Sequence, residues 1–199
     1  MKGLNLSFIQ KSSIFLLILA RIIVPFSIFY NPLLGILLCI FLDTIDYGVL
    51  FFLNIPVDRK PLEGVYQRVD KTLDMYHQSM LFIFIATHFN EEAVFVATVL
   101  YLYRFTGYTL FLTTMKRYYF IIFENIFENF GIVLLILVSS YEASWTLLSV
   151  TLMVAVITKL PQEVIVHSAL NRYPIMLVMF VYNAIRSRFG LAPKEHKLP

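Results

Sequence analysis

The sequence predicts an all-α membrane protein, a polytopic bundle of about six transmembrane helices with a short C-terminal interfacial helix. Three observations lead to this fold class. Of the 199 residues, 59% are apolar and only 15% are charged, which is more apolar surface than a soluble domain of this length can bury. Several apolar stretches reach the roughly 17 to 25 residues that a helix needs to cross a bilayer. Short polar connections separate them, so consecutive helices should run antiparallel.

Each predicted span is an apolar stretch that ends in a polar connection. The six spans are placed at 14–30, 33–53, 72–89, 93–113, 119–139 and 144–160. The first is expected to be retained, because it is long, has no small-residue cleavage site and is followed at once by another span. The stretch 173–185 is apolar but too short to span, so it is predicted to lie at the membrane interface. The whole chain, 1–199, is expected to form one integral membrane domain.

The distribution of Lys and Arg predicts that both termini are cytoplasmic, because cytoplasmic loops near span ends are enriched in these two residue types. With a cytoplasmic N-terminus, the inner side carries Lys2, Lys11, Arg59, Lys60, Arg68, Lys71, Lys116, Arg117, Arg172, Arg186, Arg188, Lys194 and Lys197. The three outer connections carry no Lys or Arg, and they hold Glu91, Glu92 and Glu142. The net charge of +3 therefore reflects a multi-pass topology, and nucleic acid is not expected as a partner.

Four aspartates near the cytoplasmic ends of the second and third spans are the most informative feature. Asp43 and Asp46 are three positions apart, so on a helix they share one face. Asp70 and Asp74, four positions apart, do the same, and the two pairs should meet in the inner half of the bundle. One Asp at a helix centre costs roughly 2.5 to 3.5 kcal/mol on insertion scales, so four together require a cation or an aqueous cavity. Carboxylate ligands favour hard ions such as Mg²⁺, Mn²⁺ or Ca²⁺.

The spacing of these aspartates resembles the signature of the CDP-alcohol phosphatidyltransferase family, DxxDGxxAR followed by a spacer and GxxxDxxxD. Asp43 and Asp46 match the first two aspartates of that signature. Asp70 and Asp74 match the last two. Tyrosine stands at both glycine positions, and the Ala-Arg pair is absent. The likeness covers the aspartates, the expected number of helices and the expected orientation.

The resemblance implies a metal-dependent transfer at the cytoplasmic membrane face. A phosphatidyl or substituted phosphoryl group would pass from a CDP-linked donor to an alcohol, with release of CMP. It implies that Asp43, Asp46 and Asp70 hold a divalent metal, Mg²⁺ or Mn²⁺. Asp74 would be a further metal ligand or the base that activates the acceptor hydroxyl. The implied partners are membrane lipids and a CDP-linked lipid or alcohol, and a homodimer is left open.

Other functions stay open beside this one. Intramembrane carboxylates and an arginine would serve equally well in a transporter or channel that binds a cation or a proton. A catalytically inactive binding or scaffold protein would keep the helices and lose the nucleotide pocket, which the altered glycine positions favour. In a purely structural alternative, the aspartates pair with Arg21, Arg104 or Lys71 and hold the helices in register.

Several other polar residues are candidates for binding. Arg104 lies within the fourth span, and Lys116 and Arg117 lie near the cytoplasmic ends of the fourth and fifth, where they could bind substrate phosphates or an anionic head group. Arg104 could instead pair with a carboxylate such as Glu128, while the other two could be positive-inside anchors. His77 could be a ligand, a proton carrier or a hydrogen-bonded neighbour of the third-span aspartates.

Overall fold

The computed structural model describes residues 7–53, 62–116, 118–138 and 141–167. Within these ranges every regular element is a helix. In chain order the elements are α1 (Phe8–Ile23), a 3-10 helix (Val24–Phe29), α2 (Pro32–Phe52), α3 (Leu62–His88), α4 (Glu91–Thr114), α5 (Tyr119–Ile122), α6 (Ile126–Leu137) and α7 (Trp145–His167). The prediction of an all-α fold is therefore confirmed.

Three stretches are long and apolar enough to cross a membrane, namely Phe8–Phe29, Pro32–Leu50 and Glu91–Thr114. Large apolar side chains point outward from all three, and Phe15, Phe41 and Phe95 are each more than half exposed. Exposed apolar surface on this scale is unfavourable in water and is suited to lipid. The chain is therefore a helical membrane protein.

The helices differ from the predicted spans in two informative places. α3 begins at Leu62 and continues through the charged residues, so that both of its aspartates lie inside the helix. The span predicted at 72–89 covers only the more apolar, C-terminal part of this helix. The predicted span 119–139 is divided into α5 and α6 by a non-helical segment at 123–125. The polar groups that stabilise this break come from another helix, so the local sequence alone could not reveal it.

The chain divides into two compact units, Met1–Leu160 and Pro161–Pro199. The first holds all the residues discussed below. In the second, residues 161–167 are the helical end of α7. The interfacial helix predicted at 173–185 lies outside the described residues, as does Arg117.

The core of the first unit lies where α3 packs against α4 and α6. Leu81 and Ile85 of α3 and Phe127 and Phe130 of α6 are fully buried there. At Gly131 of α6 an added Cβ atom would lie 2.6 Å from the Cδ2 atom of Leu81, so α3 and α6 approach each other closely. This packing fixes the height of α6 relative to the polar residues of α3.

Two of the connections expected on the outer side are bonded to each other. The Nδ2 atom of Asn90, between α3 and α4, donates to the carbonyl of Ala143, between α6 and α7, at 3.0 Å. The Oδ1 atom of Asn90 accepts from the backbone amide of Ala143 at 3.2 Å. The backbone amide of Asn90 donates to the carbonyl of Tyr141. The two turns therefore lie at the same end of the bundle, as the predicted connectivity requires.

Candidate functional site

The four aspartates converge in the interior between α1, α2 and α3. Asp43 and Asp46 come from α2, and Asp70 and Asp74 from α3. Carboxylate oxygens of Asp43, Asp46 and Asp70 all lie within 4.8 Å of one another. The prediction that the two pairs meet is confirmed, and we call these four residues the aspartate cluster.

A guanidinium group lies at the centre of the cluster. Arg21, in the last turn of α1, is only 6% exposed. Its Nη2 atom donates to Asp43 at 2.8 Å and to Asp74 at 2.5 Å. Its Nη1 atom donates to Asp70 at 2.8 Å and also to Asp46. One cation thus bonds to carboxylates from two different helices and joins α1 to both.

The register between α1 and α2 brings Arg21 to this position. Where the N-terminal part of α1 meets the end of α2, the Nε2 atom of Gln10 donates to the carbonyl of Leu53 at 2.9 Å. With a rise of about 1.5 Å per residue, Arg21 begins roughly 16 Å above this level and Asp46 roughly 10 Å above it. Helical side chains lean toward the N-terminus of their helix, so the long Arg21 side chain reaches down by the missing distance.

Lys71 is the second cation of the site. Its Nζ atom lies 2.8 Å from an oxygen of Asp70 and 2.6 Å from an oxygen of Asp74. Burial opposes the charge on this ammonium group, but the carboxylates, that of Asp74 first, outweigh it and raise the pKa of Lys71 above its ordinary value. Lys71 therefore remains charged. The structural alternative, in which Arg21 and Lys71 pair with the aspartates, is confirmed as a description of these contacts.

Tyr66 completes the hydrogen bonding on one side of the cluster. Its hydroxyl donates to the Oδ1 atom of Asp46 at 3.2 Å. Burial raises the pKa of the Tyr66 hydroxyl above its ordinary value, and the nearby charges of Asp46 and Asp70 raise it further. The phenol therefore keeps its proton and acts as a donor. Since Tyr66 precedes Asp70 by four positions on α3, helical periodicity could have placed it on the cluster face.

The aspartates differ in their exposure. The side chains of Asp46, Asp70 and Asp74 are 8%, 14% and 10% exposed, whereas that of Asp43 is 42% exposed. The site has four carboxyl groups against two cations, Arg21 and Lys71, which is an excess of two negative charges when all four are ionised. An oxygen-only donor set with this excess of charge fits a hard divalent ion.

An apolar cavity of about 170 Å³ adjoins the cluster. Arg21, Asp46, Asp70 and Tyr66 line its polar part. The rest of its wall is aliphatic and comes from α1, α2 and α3: Ile14, Leu17, Ile18, Leu50, Val65, Val69 and Leu73. A cavity with this division of polar and apolar walls suits a molecule that has an anionic or polar group attached to an apolar chain.

A second group of buried polar residues lies where α3 meets α6. The Nε2 atom of His77 is 3.9 Å from a carboxylate oxygen of Glu128, and Asn125 donates to the same carboxylate. Among the described residues, buried atoms without a hydrogen-bond partner include Nε2 of His77, both amide atoms of Gln78 and Oδ1 of Asn125. Buried polar atoms are normally satisfied by protein or by water, so these four atoms are candidates for bonding to ordered water.

Arg104 lies at the break between α5 and α6. Its Nη1 atom donates to the carbonyl of Phe123 at 2.8 Å, and its guanidinium carbon lies 4.6 Å from the ring centroid of Phe120. Phe123 lies in the non-helical segment, so Arg104 stabilises a backbone carbonyl that the break leaves without a helical partner. Lys71 is also near this ring, 6.0 Å from its centroid.

The residues proposed from the sequence thus occupy different places. The four aspartates lie together, Arg104 lies at the helix break, and Lys116 follows the end of α4. The part played by Arg21 at the centre of the cluster could not be read from the sequence, although an arginine within a span is in itself a signal of an interior polar site.

Comparison with known proteins adds no relative: no protein family, curated protein or solved structure matches this chain. The fold and the site by themselves define an all-helical membrane protein with an acidic cluster buried around an arginine.

Proposed function

We propose that this protein is a membrane enzyme that transfers a phosphatidyl or substituted phosphoryl group from a CDP-linked donor to an alcohol. In this proposal the chain crosses the membrane six times, with α5 and α6 together forming the fifth span. Both termini are cytoplasmic, and the aspartate cluster opens toward the cytoplasmic face. The reaction requires a divalent ion, Mg²⁺ or Mn²⁺.

The observation that carries the proposal is the convergence of all four motif aspartates on one point. Spacing along each helix places the members of each pair on one face, and the packing of α2 and α3 brings the two pairs together. The cluster has only carboxylate oxygens as anionic ligands, and three of them come within 4.8 Å of one another. Such an arrangement favours a hard divalent ion over softer metals.

The neighbouring cavity supports a lipid substrate. Its aliphatic wall would accommodate part of an apolar chain, while Arg21 and Tyr66 lie at the end where the head group would be. A donor with both parts would therefore bring its phosphates to the cluster. The intramembrane location of the cavity suits a substrate that diffuses in the bilayer.

The chemistry can be assigned to particular side chains. Asp43, Asp46 and Asp70 would hold the divalent ion, which when bound neutralises charge on the donor phosphates. Asp74 would be a further ligand of the ion or, once released by the cations that now bond to both of its oxygens, would accept the proton of the acceptor hydroxyl while that oxygen bonds to phosphorus. The phosphoanhydride bond then breaks and its electron pair leaves with CMP. Lys71, which remains charged, lies 2.6 Å from Asp74 and adds positive charge near the phosphates.

The test is binding of Mn²⁺ and of a CDP-linked lipid to protein purified in detergent. Wild type is compared with Asp43→Asn, Asp70→Asn and Asp74→Asn. Glu91→Gln is the matched control, because it removes one carboxylate charge at an exposed position at the start of α4. Metal-dependent nucleotide binding that is lost in the three aspartate variants and kept in the control supports the enzyme. Absence of metal binding in the wild type and all variants refutes it.

A cation- or proton-coupled transporter is the second candidate. The helix break at 123–125 and the buried pair of His77 and Glu128 favour it, because interrupted helices and interior ionisable residues mark ion pathways. In proteoliposomes with an internal pH dye, a transporter would give a proton flux that Glu128→Gln abolishes. If the wild-type protein gives no proton flux and binds no CDP-linked lipid, an inactive scaffold protein is the remaining alternative.

A further inference from the structure

The hydrogen bonds of the aspartate cluster are already supplied by the chain itself. Both oxygens of Asp74 are bonded, one to Arg21 and one to Lys71. Both oxygens of Asp70 are bonded to the same two cations. Asp46 accepts from Arg21 with one oxygen and from Tyr66 with the other. Every oxygen of these three buried carboxylates therefore already has a donor from the chain, although each oxygen keeps a second lone pair.

Arg21 uses the same groups that a divalent ion would need. The three residues whose oxygens approach within 4.8 Å are Asp43, Asp46 and Asp70. The guanidinium of Arg21 donates to each of these three. An ion bound to these three carboxylates would lie close to the positive charge of the guanidinium, so the two cations would repel each other in this arrangement.

The charges lead to the same conclusion. Counted with all four carboxyl groups ionised, the six side chains of the cluster carry a net charge of −2 with Arg21 in place. On the same count, the remaining groups would carry a net charge of −3 in a buried site if Arg21 withdrew. Buried charge at that density is relieved by another cation or by protonation of a carboxyl group.

We infer that Arg21 is a built-in counter-ion that competes with the divalent ion for the aspartate cluster. The guanidinium offsets part of the negative charge of the cluster when the ion is absent and must release the aspartates when the ion binds. This inference rests on the metal requirement of the proposed function. Asp43, the most exposed of the four, is the carboxylate that an incoming ion meets first.

The competition has a definite consequence for affinity. If only a fraction of molecules have Arg21 withdrawn, the apparent dissociation constant for the ion equals the intrinsic constant divided by that fraction, so a small fraction raises it strongly. Removing the guanidinium should therefore tighten binding of Mn²⁺. We expect the apparent dissociation constant of Arg21→Gln to be lower than that of wild type by about tenfold or more.

The experiment is a titration of Mn²⁺ into detergent-purified protein, with free Mn²⁺ followed by electron paramagnetic resonance and no nucleotide present. Arg68→Gln is the matched control, because it removes a positive charge from an exposed residue of α3 and leaves Arg21 in place. The inference expects tighter binding in Arg21→Gln and an unchanged constant in Arg68→Gln. Equal or weaker binding in Arg21→Gln, or the same tightening in the control, overturns it.

A variant that keeps the charge covers the case in which Arg21→Gln does not fold. In Arg21→Lys the ammonium is a compact charge on a shorter stem and cannot bond in one plane to four carboxylates. It should bind Mn²⁺ more tightly than wild type, and equal or weaker binding overturns the inference.

Failure of the two proposals can be told apart. Tighter Mn²⁺ binding in Arg21→Gln with no binding of CDP-lipid by any variant would support the competition and refute the transferase. Metal-dependent binding of CDP-lipid with Mn²⁺ affinity unaffected by Arg21→Gln would refute the competition alone. No Mn²⁺ binding by any variant would refute both.

Discussion

The role of Arg104 leads to a quantitative prediction about stability. Replacing it with Met keeps an unbranched apolar stem and removes the guanidinium. The carbonyl of Phe123 would then lose the donor that lies 2.8 Å away, and an unsatisfied buried acceptor costs about 1 to 3 kcal/mol. Loss of the contact with the Phe120 ring adds about 0.5 to 2 kcal/mol. Together, Arg104→Met should lower the free energy of unfolding by about 1.5 to 5 kcal/mol.

The assay is reversible unfolding in mixed micelles of detergent and dodecyl sulfate, followed by fluorescence of Trp145, the single tryptophan. No nucleotide or metal is added, so the measurement reports the helix break and not substrate binding. Arg68→Met is the control, since Arg68 is exposed and its Nε atom donates to the Sδ atom of Met115, a weak acceptor, so its replacement should change stability by less than about 0.5 kcal/mol. If Arg104→Met lost no more than this control, a stabilising role for Arg104 at the break would be refuted.

Three further predictions concern packing and charge. Gly35→Ala places a Cβ atom 2.5 Å from a backbone atom of the 3-10 helix and should lower the free energy of unfolding by about 1 to 3 kcal/mol. Gly48→Ala, whose Cβ atom would have no neighbour within 4 Å, should not destabilise the protein, and thermal unfolding compares the two variants. Tyr66→Phe should lose about 1 kcal/mol or more in micelle unfolding, because a buried carboxylate loses a donor; an unchanged value would contradict the bond. Because the pKa of Lys71 is raised in the folded state, its contribution to stability is complete below pH 10.5 and is lost only above it. The loss of unfolding free energy in Lys71→Met should therefore be equal at pH 7 and 9, and a loss that disappears by pH 9 would contradict this.

In the aspartate cluster, the cost of removing charged groups from water is offset by pairing between carboxylates and cations. Burying charge without partners is costly in a lipid environment. In the aspartate cluster, each of the three buried carboxylates pairs with Arg21, which belongs to another helix. Because Arg21 bonds to both α2 and α3, loss of this one side chain would remove pairing from both helices at once. The cluster therefore links stability and binding through a single residue.

The sequence alone determined the features that depend on local order along the chain. Composition and the length of the apolar stretches were enough to predict a helical membrane protein. Helical periodicity was enough to place Asp43 with Asp46, and Asp70 with Asp74, on shared faces. These predictions held because neighbours three or four positions apart lie on one face of a helix regardless of what packs against it.

Only the tertiary structure decided which cation meets the aspartates. Arg21 and Arg104 both lie within apolar stretches, and both were candidates for pairing with carboxylates. The packing of α1 against α2, fixed in part by the bond from Gln10 to Leu53, brings Arg21 down to the cluster. Arg104 instead stabilises the break between α5 and α6. The height of one helix relative to another depends on contacts between residues distant in sequence, and no local pattern records it.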